Sequence, residues 1–161
     1  MKKVEIYADG ACKGNPGPGG YGCVLLYRGH RLELSRGFRR TTNNRMEILA
    51  VIEALKALKE PCEIDFYSDS RYVVNAIEQG WLAKWVRMNW RKADKSKVLN
   101  QDLWEALLKE MVQHKIHFHW VKGHAENEHN NRCDALASAA SQDTASLQED
   151  EGFSADSKES E

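Results

Sequence analysis

The segment IYADGACKGNPGPGGYG, residues 6–22, begins as an apolar strand, reaches an aspartate at position 9 and then enters a glycine-rich turn. Apolar and polar side chains alternate from Val4 to Asp9, and this two-residue period is typical of a β-strand. The segment that follows, GYGCVLLYRGHRLELSRGFRR, has the pattern of two more strands joined tightly around Gly29. The sequence therefore predicts a three-stranded meander in which Asp9 closes the first strand.

The rest of the chain alternates helical and strand patterns. Residues 43–60 carry apolar side chains at helical spacing, with Asn43 or Asn44 as the N-cap and Pro61 as the stop. Further strands are predicted at residues 62–68 and 115–121, and further helices at residues 70–80, 100–114 and 126–141. This order indicates an α/β fold with a mixed sheet and helices on its faces, in which the fourth strand runs parallel to the first.

Composition places the chain among ordinary globular proteins. It has 161 residues, of which 42% are hydrophobic and 29% charged, so one domain with a real core is expected. No apolar run reaches the length of a signal peptide or a membrane span, and we therefore expect a cytoplasmic protein without membrane contact. The four cysteines are scattered without a CxxC pair, which favours reduced packing residues over a zinc site or disulfides.

Charge is divided unevenly along the chain. Residues 142–161 contain seven acidic residues and one lysine in a serine-rich segment with few large apolar groups. This composition predicts a disordered acidic tail that follows a folded domain at residues 1–141. The domain keeps 22 basic and 17 acidic residues, so its net charge is about +5.

Two aspartates occupy equivalent positions in similar segments, IYAD at 6–9 and FYSD at 66–69. If these strands are parallel neighbours, Asp9 and Asp69 emerge at the same carboxyl edge, where open α/β sheets place ligands. The alternative is that both are turn residues, with Asp69 capping the helix that starts near Ser70.

Two further acids point toward the same region. Glu47 continues the sheet-facing stripe of Val51 and Ala54 near the start of its helix, although an acid favoured by the helix dipole is the alternative. Asp134 lies next to the inward stripe of the last helix. Several carboxylates on one buried rim require protons or a cation, and an all-oxygen set suits Mg²⁺ better than zinc.

Four segments together resemble the motifs of bacterial type I ribonuclease H: DGACKGNPGPGGYG, TTNNRMEILAVIEAL, YSDSRYV and WVKGHAENEHNNRCDALA. The resemblance covers about residues 3–141. It implies a five-stranded mixed sheet and Mg²⁺-dependent cleavage of the RNA strand of an RNA/DNA hybrid by a monomer, leaving 5'-phosphate and 3'-hydroxyl ends. Two Mg²⁺ ions are implied, with Mn²⁺ as a possible replacement. The implied metal ligands are Asp9, Glu47, Asp69 and Asp134, and His124 is the implied proton-shuttle or product-release group.

The resemblance also implies substrate contacts around the glycine-rich turn. Cys12, Asn15, Asn43 and Asn44 match positions near the minor groove, where the 2'-hydroxyl distinguishes RNA from DNA. Thr42, together with Asn15, matches a position that contacts a DNA phosphate. The turn itself lacks the GK[ST] of a nucleoside triphosphate site.

Residues 81–97, WLAKWVRMNWRKADKSK, form a basic segment with interleaved tryptophans. An ordinary amphipathic helix is one interpretation, but the density of cations is typical of phosphate binding. The segment matches the basic protrusion of some type I enzymes, which implies contacts to the DNA strand from Trp81, Lys84, Trp85, Arg87, Arg91 and Lys92. Arg71 stands where relatives have an uncharged polar residue; a phosphate contact, a base-edge contact and a lowering of local acid repulsion all stay open.

Two other functions compete with a hybrid-specific ribonuclease. One is a nuclease of the same fold that acts on DNA, which TTNNRME and VKGH disfavour. The other is a non-catalytic hybrid-binding module, which would be expected to have lost at least one of the four acids.

Overall fold

The computed structural model describes residues 1–122 and 127–153, and all structural statements below concern these residues. The strands are β1 (Lys2–Cys12), β2 (Gly17–Tyr27), β3 (His30–Thr41), β4 (Cys62–Ser68) and β5 (Lys115–Trp120). The helices are α1 (Asn43–Lys56), α2 (Arg71–Glu78), α3 (Trp81–Arg87), α4 (Gln101–Met111) and α5 (Glu128–Gln142). Within these ranges every helix is too short or too polar to cross a lipid bilayer.

The five strands form one mixed sheet in the order β3-β2-β1-β4-β5. The meander of β1, β2 and β3 is antiparallel, whereas β4 pairs parallel to both β1 and β5. Tyr7 is in register with Tyr67, and their rings stack with centroids 4.7 Å apart. The predicted α/β fold and the parallel pairing of the first and fourth strands are therefore confirmed.

Helices cover both faces of the sheet. The main core joins one sheet face to residues of α1, α2, α3 and α4, including Met46, Val73, Leu82 and Trp104. On the other face α5 packs Cys133 against Tyr7 and Val24 in a smaller cluster. Cys23, Cys62 and Cys133 are buried free thiols, in line with the packing role predicted for the cysteines.

Asp9 does not close β1, which continues to Cys12. Pairing of β1 with β4 ends at Ala8 opposite Ser68, while pairing with β2 continues from Asp9 to Cys12. The glycine-rich turn begins only after this extension. Asp9 therefore sits at the point where β4 ends beside it, inside a strand whose backbone is held on the other side by β2.

Helix α1 begins one or two residues earlier than a cap at Asn43 or Asn44 predicts, because Thr42 is the N-cap. Its backbone is extended and its side chain accepts a hydrogen bond from the backbone N–H of Arg45 at 3.2 Å. The backbone N–H of Asn43 donates instead to Asn15 Oδ1 at 2.8 Å. The helix also ends at Lys56, four residues before the predicted end.

The basic segment is not one helix. Helix α3 ends at Arg87, and Asn89, Trp90 and Lys95 adopt left-handed backbone conformations that interrupt any continuation. Trp90 is buried, and its carbonyl accepts from the backbone N–H of Val98 at 2.9 Å. An amphipathic helix throughout residues 81–97 is therefore wrong.

The C-terminal segment of residues 143–153 packs on the domain. Gln148 exchanges backbone hydrogen bonds with Gly37 and Arg39, so the segment adds a parallel bridge to the edge of β3. Asp150 reaches farther inward and forms an ion pair with Arg45 at 2.7 Å. The predicted disordered tail thus fails for residues 143–153, which pack on β3 and pair Glu149 and Asp150 with cations of the domain. Residues 154–161 lie outside the described residues.

Candidate active site and nucleic-acid surface

Three acids that are far apart in sequence meet at one edge of the sheet. One carboxylate oxygen from each of Asp9, Glu47 and Asp69 lies within 4.8 Å of the other two. Asp9 is 4% exposed and Glu47 is 7% exposed, so two of the three carboxylates are withdrawn from bulk water. The predicted convergence of these acids is therefore observed.

Two glycines let the helices approach the sheet closely enough to build this site. A Cβ atom at Gly10 would lie 2.7 Å from the backbone nitrogen of Glu47, so only glycine lets α1 rest directly on β1 there. On the other face a Cβ atom at Gly22, the partner of Asp9 in β2, would lie 2.3 Å from the carbonyl oxygen of Cys133 in α5. Close contact at these two points brings Glu47 and the start of α5 beside Asp9.

The alternative roles of the acids are not supported by their surroundings. Ser70, not Asp69, caps α2, since Ser70 Oγ accepts from the backbone N–H of Val73 at 3.2 Å. Glu47 lies past the first turn of α1, which contains no acid, and it is buried. A capping role for Asp69 and a dipole-favoured surface role for Glu47 are therefore wrong.

A cavity of about 150 Å³ lies at the acids, and the fourth predicted acid belongs to it. Asp134 is half-buried on α5 and lines this cavity. The complete lining consists of Asp9, Gly10, Glu47, Asp69, Asn130, Asn131 and Asp134. The two asparagines were missed from the sequence, although Asn130 precedes Asp134 by the four residues that place side chains on one helix face.

Burial and mutual repulsion make the ionised cluster unfavourable. Burial raises the pKa of Asp9, and the charges of Glu47 and Asp69 raise it further. The pKa of Glu47 is also raised, first by burial and then by the charge of Asp69, although hydrogen bonds from Gly10 and Asn43 oppose this shift. Without a cation, burial and repulsion therefore favour the protonated forms of Asp9 and Glu47.

The donor set fits a hard divalent cation. Every lining side chain that can act as a ligand offers oxygen, and neither imidazole nor thiol is among the described lining residues. Oxygen donors favour Mg²⁺, Mn²⁺ or Ca²⁺ over zinc. A bound divalent cation would also relieve the repulsion that raises the two pKa values.

The residues predicted to contact the minor groove surround the junction of the glycine-rich turn with α1. Asn15 in the turn is tied to Asn43 by the hydrogen bond described above, and Asn44 is half-buried beside it. Cys12 donates its thiol to the Gly14 carbonyl oxygen at 2.8 Å. Thr42 is fully buried as the N-cap. Substrate contacts from these side chains stay predictions.

Arg71 is the first residue of α2, two residues after Asp69. Its guanidinium is 4.1 Å from the ring centroid of Trp120, and the Trp120 indole donates to the carbonyl oxygen of Asp69 at 3.1 Å. This stack fixes a cation next to a site acid. His124, the predicted proton-transfer group, lies outside the described residues.

The basic segment forms a groove of about 410 Å³, which we call the basic groove. It is lined by Trp81, Lys84, Trp85, Met88, Arg91, Lys92 and Ala93. Five of the six side chains predicted to contact DNA therefore line one surface, and the sixth, Arg87, is the last residue of α3. Trp85 also packs against Trp104 with ring centroids 5.7 Å apart, which anchors the groove to the core.

Comparisons with known proteins find one family in both sequence and fold. A sequence model of the RNase H family matches residues 1–142. A ribonuclease H of Desulforamulus reducens is 59% identical over 140 residues, which cover 87% of this chain and 88% of the relative.

Solved structures of ribonucleases H have the same fold. LC9-RNase H1, a type 1 RNase H with the type 2 active-site motif, superposes with a TM-score of 0.79 at 31% identity, covering 88% of this chain and 72% of its own. LC11-RNase H1, solved in complex with an RNA/DNA hybrid, superposes with a TM-score of 0.65 at 28% identity, covering 89% of this chain and 99% of its own.

Proposed function

The chain belongs to the RNase H family, and from this premise we propose that it is an endoribonuclease that hydrolyses the RNA strand of RNA/DNA hybrids. The observation that carries the proposal is the meeting of Asp9, Glu47 and Asp69 oxygens within 4.8 Å at an open cavity. A buried acid cluster of this kind costs stability and is retained where it binds a cation.

Four acids form the proposed metal centre. Asp9, Glu47, Asp69 and Asp134 would hold two Mg²⁺ ions, which when bound polarise a phosphodiester and lower the pKa of water. Asp9 is the central ligand, and its Oδ1 accepts from the backbone N–H of Gly10 at 2.9 Å, so its orientation is set before substrate arrives. Hydrolysis at this centre leaves 5'-phosphate and 3'-hydroxyl ends without a covalent enzyme intermediate.

Proton transfer is assigned to His124, whose imidazole can exchange a proton near neutral pH. Selection of RNA is assigned to Cys12, Asn15, Asn43 and Asn44. Amides donate and accept hydrogen bonds, as recognition of a 2'-hydroxyl requires. The hydrogen bond between Asn15 and the start of α1 keeps the turn in place next to the metal centre.

We assign binding of the DNA strand to the basic groove. Contact with one phosphate of that strand is assigned to Thr42 and Asn15. Arg71 adds a phosphate contact from beside Asp69, because its guanidinium is held by Trp120 rather than neutralised by a described carboxylate.

We further propose that the protein is a monomer and works in the cytoplasm. Size-exclusion chromatography with light scattering tests the first point, and cell fractionation tests the second.

A cleavage assay separates the candidate functions. The protein is incubated with labelled RNA/DNA hybrid, duplex DNA or duplex RNA, each with Mg²⁺ or with EDTA. We expect Mg²⁺-dependent cuts only in the RNA strand of the hybrid. Cuts in duplex DNA would favour a DNA nuclease of the same fold, and hybrid binding without any cut would favour a binding module.

A matched pair of variants, one directly after β4 and one within it, ties the activity to the cluster. Asp69→Asn removes a site acid and should lower cleavage on the order of 100-fold or more. Asp65→Asn, at an exposed position of β4, should retain it. Equal losses in both variants would mean that the chemistry lies elsewhere.

A further inference from the structure

One polar atom at the acid cluster is buried without a hydrogen bond. Asn130 is 2% exposed, and its Oδ1 has no hydrogen-bond partner among the described residues. A buried carbonyl oxygen without a donor costs about 1 to 3 kcal/mol. Buried polar atoms are nearly always satisfied in folded proteins, so an exception calls for a specific reason.

The backbone around Asn130 explains why the side chain stays in this position. Asn130 lies in the first turn of α5, where its N–H donates to Oδ1 of the N-cap Asn127 at 3.0 Å. Asp134 is four residues later on the same helix, and both residues line the cavity with Asp9, Glu47 and Asp69. The helix therefore presents one neutral and one charged oxygen-bearing side chain to the same space.

We propose that Asn130 Oδ1 is a neutral oxygen ligand of the divalent cation at this centre, bound to it directly or through one of the cation's waters. The inference rests on the metal centre of the proposed function and extends it beyond the four acids. A fifth carboxylate would increase the repulsion that already raises the pKa of Asp9, whereas an amide oxygen adds a donor without adding charge. Amide oxygens are regular ligands of hard cations.

The proposal predicts opposite effects on stability and on metal binding. Asn130→Leu preserves the approximate shape of the side chain and removes the unpartnered oxygen. In EDTA its melting temperature should equal or exceed that of the wild type, since an unsatisfied buried group is replaced by an apolar one. Its affinity for Mn²⁺ should fall about 10-fold or more, the usual cost of losing a group that supports a metal site.

The experiment is isothermal titration of the full chain with Mn²⁺ alone, in the absence of nucleic acid, beside melting curves in EDTA. Asn130→Asp keeps the oxygen and should bind Mn²⁺ at least as tightly as the wild type. Asn75→Leu in α2, outside the cavity lining, makes the same chemical change elsewhere and should leave Mn²⁺ affinity unchanged.

Affinity of Asn130→Leu within about twofold of the wild type would overturn the proposal while leaving the proposed cleavage of hybrids intact. Equal losses in the Leu and Asp variants would also overturn it, because the amide nitrogen, which both variants lack, and not the oxygen would then be the group that matters. If Asn130→Leu does not fold, Asn130→Asp decides alone, and weakened binding counts against the proposal. Failure of the wild type to bind Mn²⁺ would overturn the metal centre as a whole.

Discussion

Asp9 lies where three parts of the chain meet, and its burial has an energetic cost. Glu47 arrives from α1 and Asp69 from the end of β4, and their charges raise the pKa of Asp9 after burial has already raised it. Folding therefore places the cluster in a state that is unfavourable until a cation binds. Stability and function should oppose each other at this residue.

The first prediction concerns Asp9→Asn, which keeps the shape of the side chain and removes its charge. Because folding raises the pKa of Asp9, the folded protein binds more protons than the unfolded chain above pH of about 4. In EDTA the free energy of unfolding of the wild type should fall as pH rises through this window. The variant should lose most of this slope and be more stable at pH 7 by roughly 2 kcal/mol.

Urea unfolding of both proteins in EDTA at pH 5 and pH 8 measures this difference. Cleavage by Asp9→Asn should be nearly abolished at either pH. Wild-type stability that is independent of pH would contradict the raised pKa, and an unfolded variant would mean that Asp9 is structural. Adding Mg²⁺ to the wild type should release protons, which titrations in buffers of different ionisation enthalpy detect.

At the scale of single residues, the sequence predicted the site where residue type and hydrophobic periodicity together identify a functional side chain. The acids stood out because a charge at an inward position of a strand or helix is unusual. The site position of Asn130 and the capping role of Thr42 did not stand out, since amides and hydroxyls are common at the start of helices and their burial depends on the neighbouring elements. The unpartnered Asn130 oxygen is visible only once α5 is seated on the sheet.

At the element scale, the segment of residues 143–153 holds the start of α1 in place. Arg45 is 2% exposed, and Asp150 accepts from its Nε at 2.7 Å while Asp102 of α4 accepts from Nη2 at 2.7 Å. Thr41 Oγ1 also donates to Asp150 at 2.6 Å. A buried guanidinium of this kind requires both carboxylates.

Removing one carboxylate should therefore destabilise the domain. Asp150→Ala leaves Arg45 with an incomplete set of partners and should lower the free energy of unfolding by about 2 kcal/mol, the usual cost of a lost hydrogen bond to a charged group. The neighbouring Glu149→Ala breaks an exposed ion pair with Arg39 and should cost less than about 0.5 kcal/mol. Urea denaturation of the two variants makes the comparison.

Truncation provides a second test of whether residues 143–153 stabilise the domain. A chain that ends at Gln142 loses the strand bridge and the Arg45 partner together, whereas a chain that ends at Phe153 keeps every described contact. The first should be less stable than Asp150→Ala and the second should match the wild type. Equal stability of the two truncated chains would show that residues 143–153 do not hold the domain.

Among the elements, β1 and β4 could be predicted because apolar and polar side chains alternate in them, and the other strands of the meander because glycines mark the turns between them. The break after α3 could not be predicted, because it depends on the burial of Trp90 in the core and on left-handed backbone conformations at residues other than glycine. Acidic composition was misleading for residues 143–153. Two of their acids, Glu149 and Asp150, form ion pairs with Arg39 and Arg45, which are distant in sequence.

On the scale of the whole molecule, opposite charges are separated. The acid cluster occupies the edge at which β1 and β4 part, and the basic groove gathers cations in the segment between α2 and α4. The chain as a whole has a formal charge of −1, so attraction to a polyanion depends on this local concentration of cations and not on net charge. Binding should therefore respond to where charge is removed.

The last prediction compares two fourfold charge removals in an Asp9→Asn background, which prevents cleavage during binding. Changing Lys84, Arg87, Arg91 and Lys92 to Gln should weaken hybrid binding at moderate salt. It should also reduce the slope of log K against log salt by up to about 4, since each phosphate contact contributes about 1. Changing Lys3, Lys56, Lys59 and Lys115 removes the same charge at the opposite end of the sheet, about 20 Å along β1 from Asp9. This second variant should retain the slope, and equal losses in both would mean that net charge, not the basic groove, attracts the hybrid.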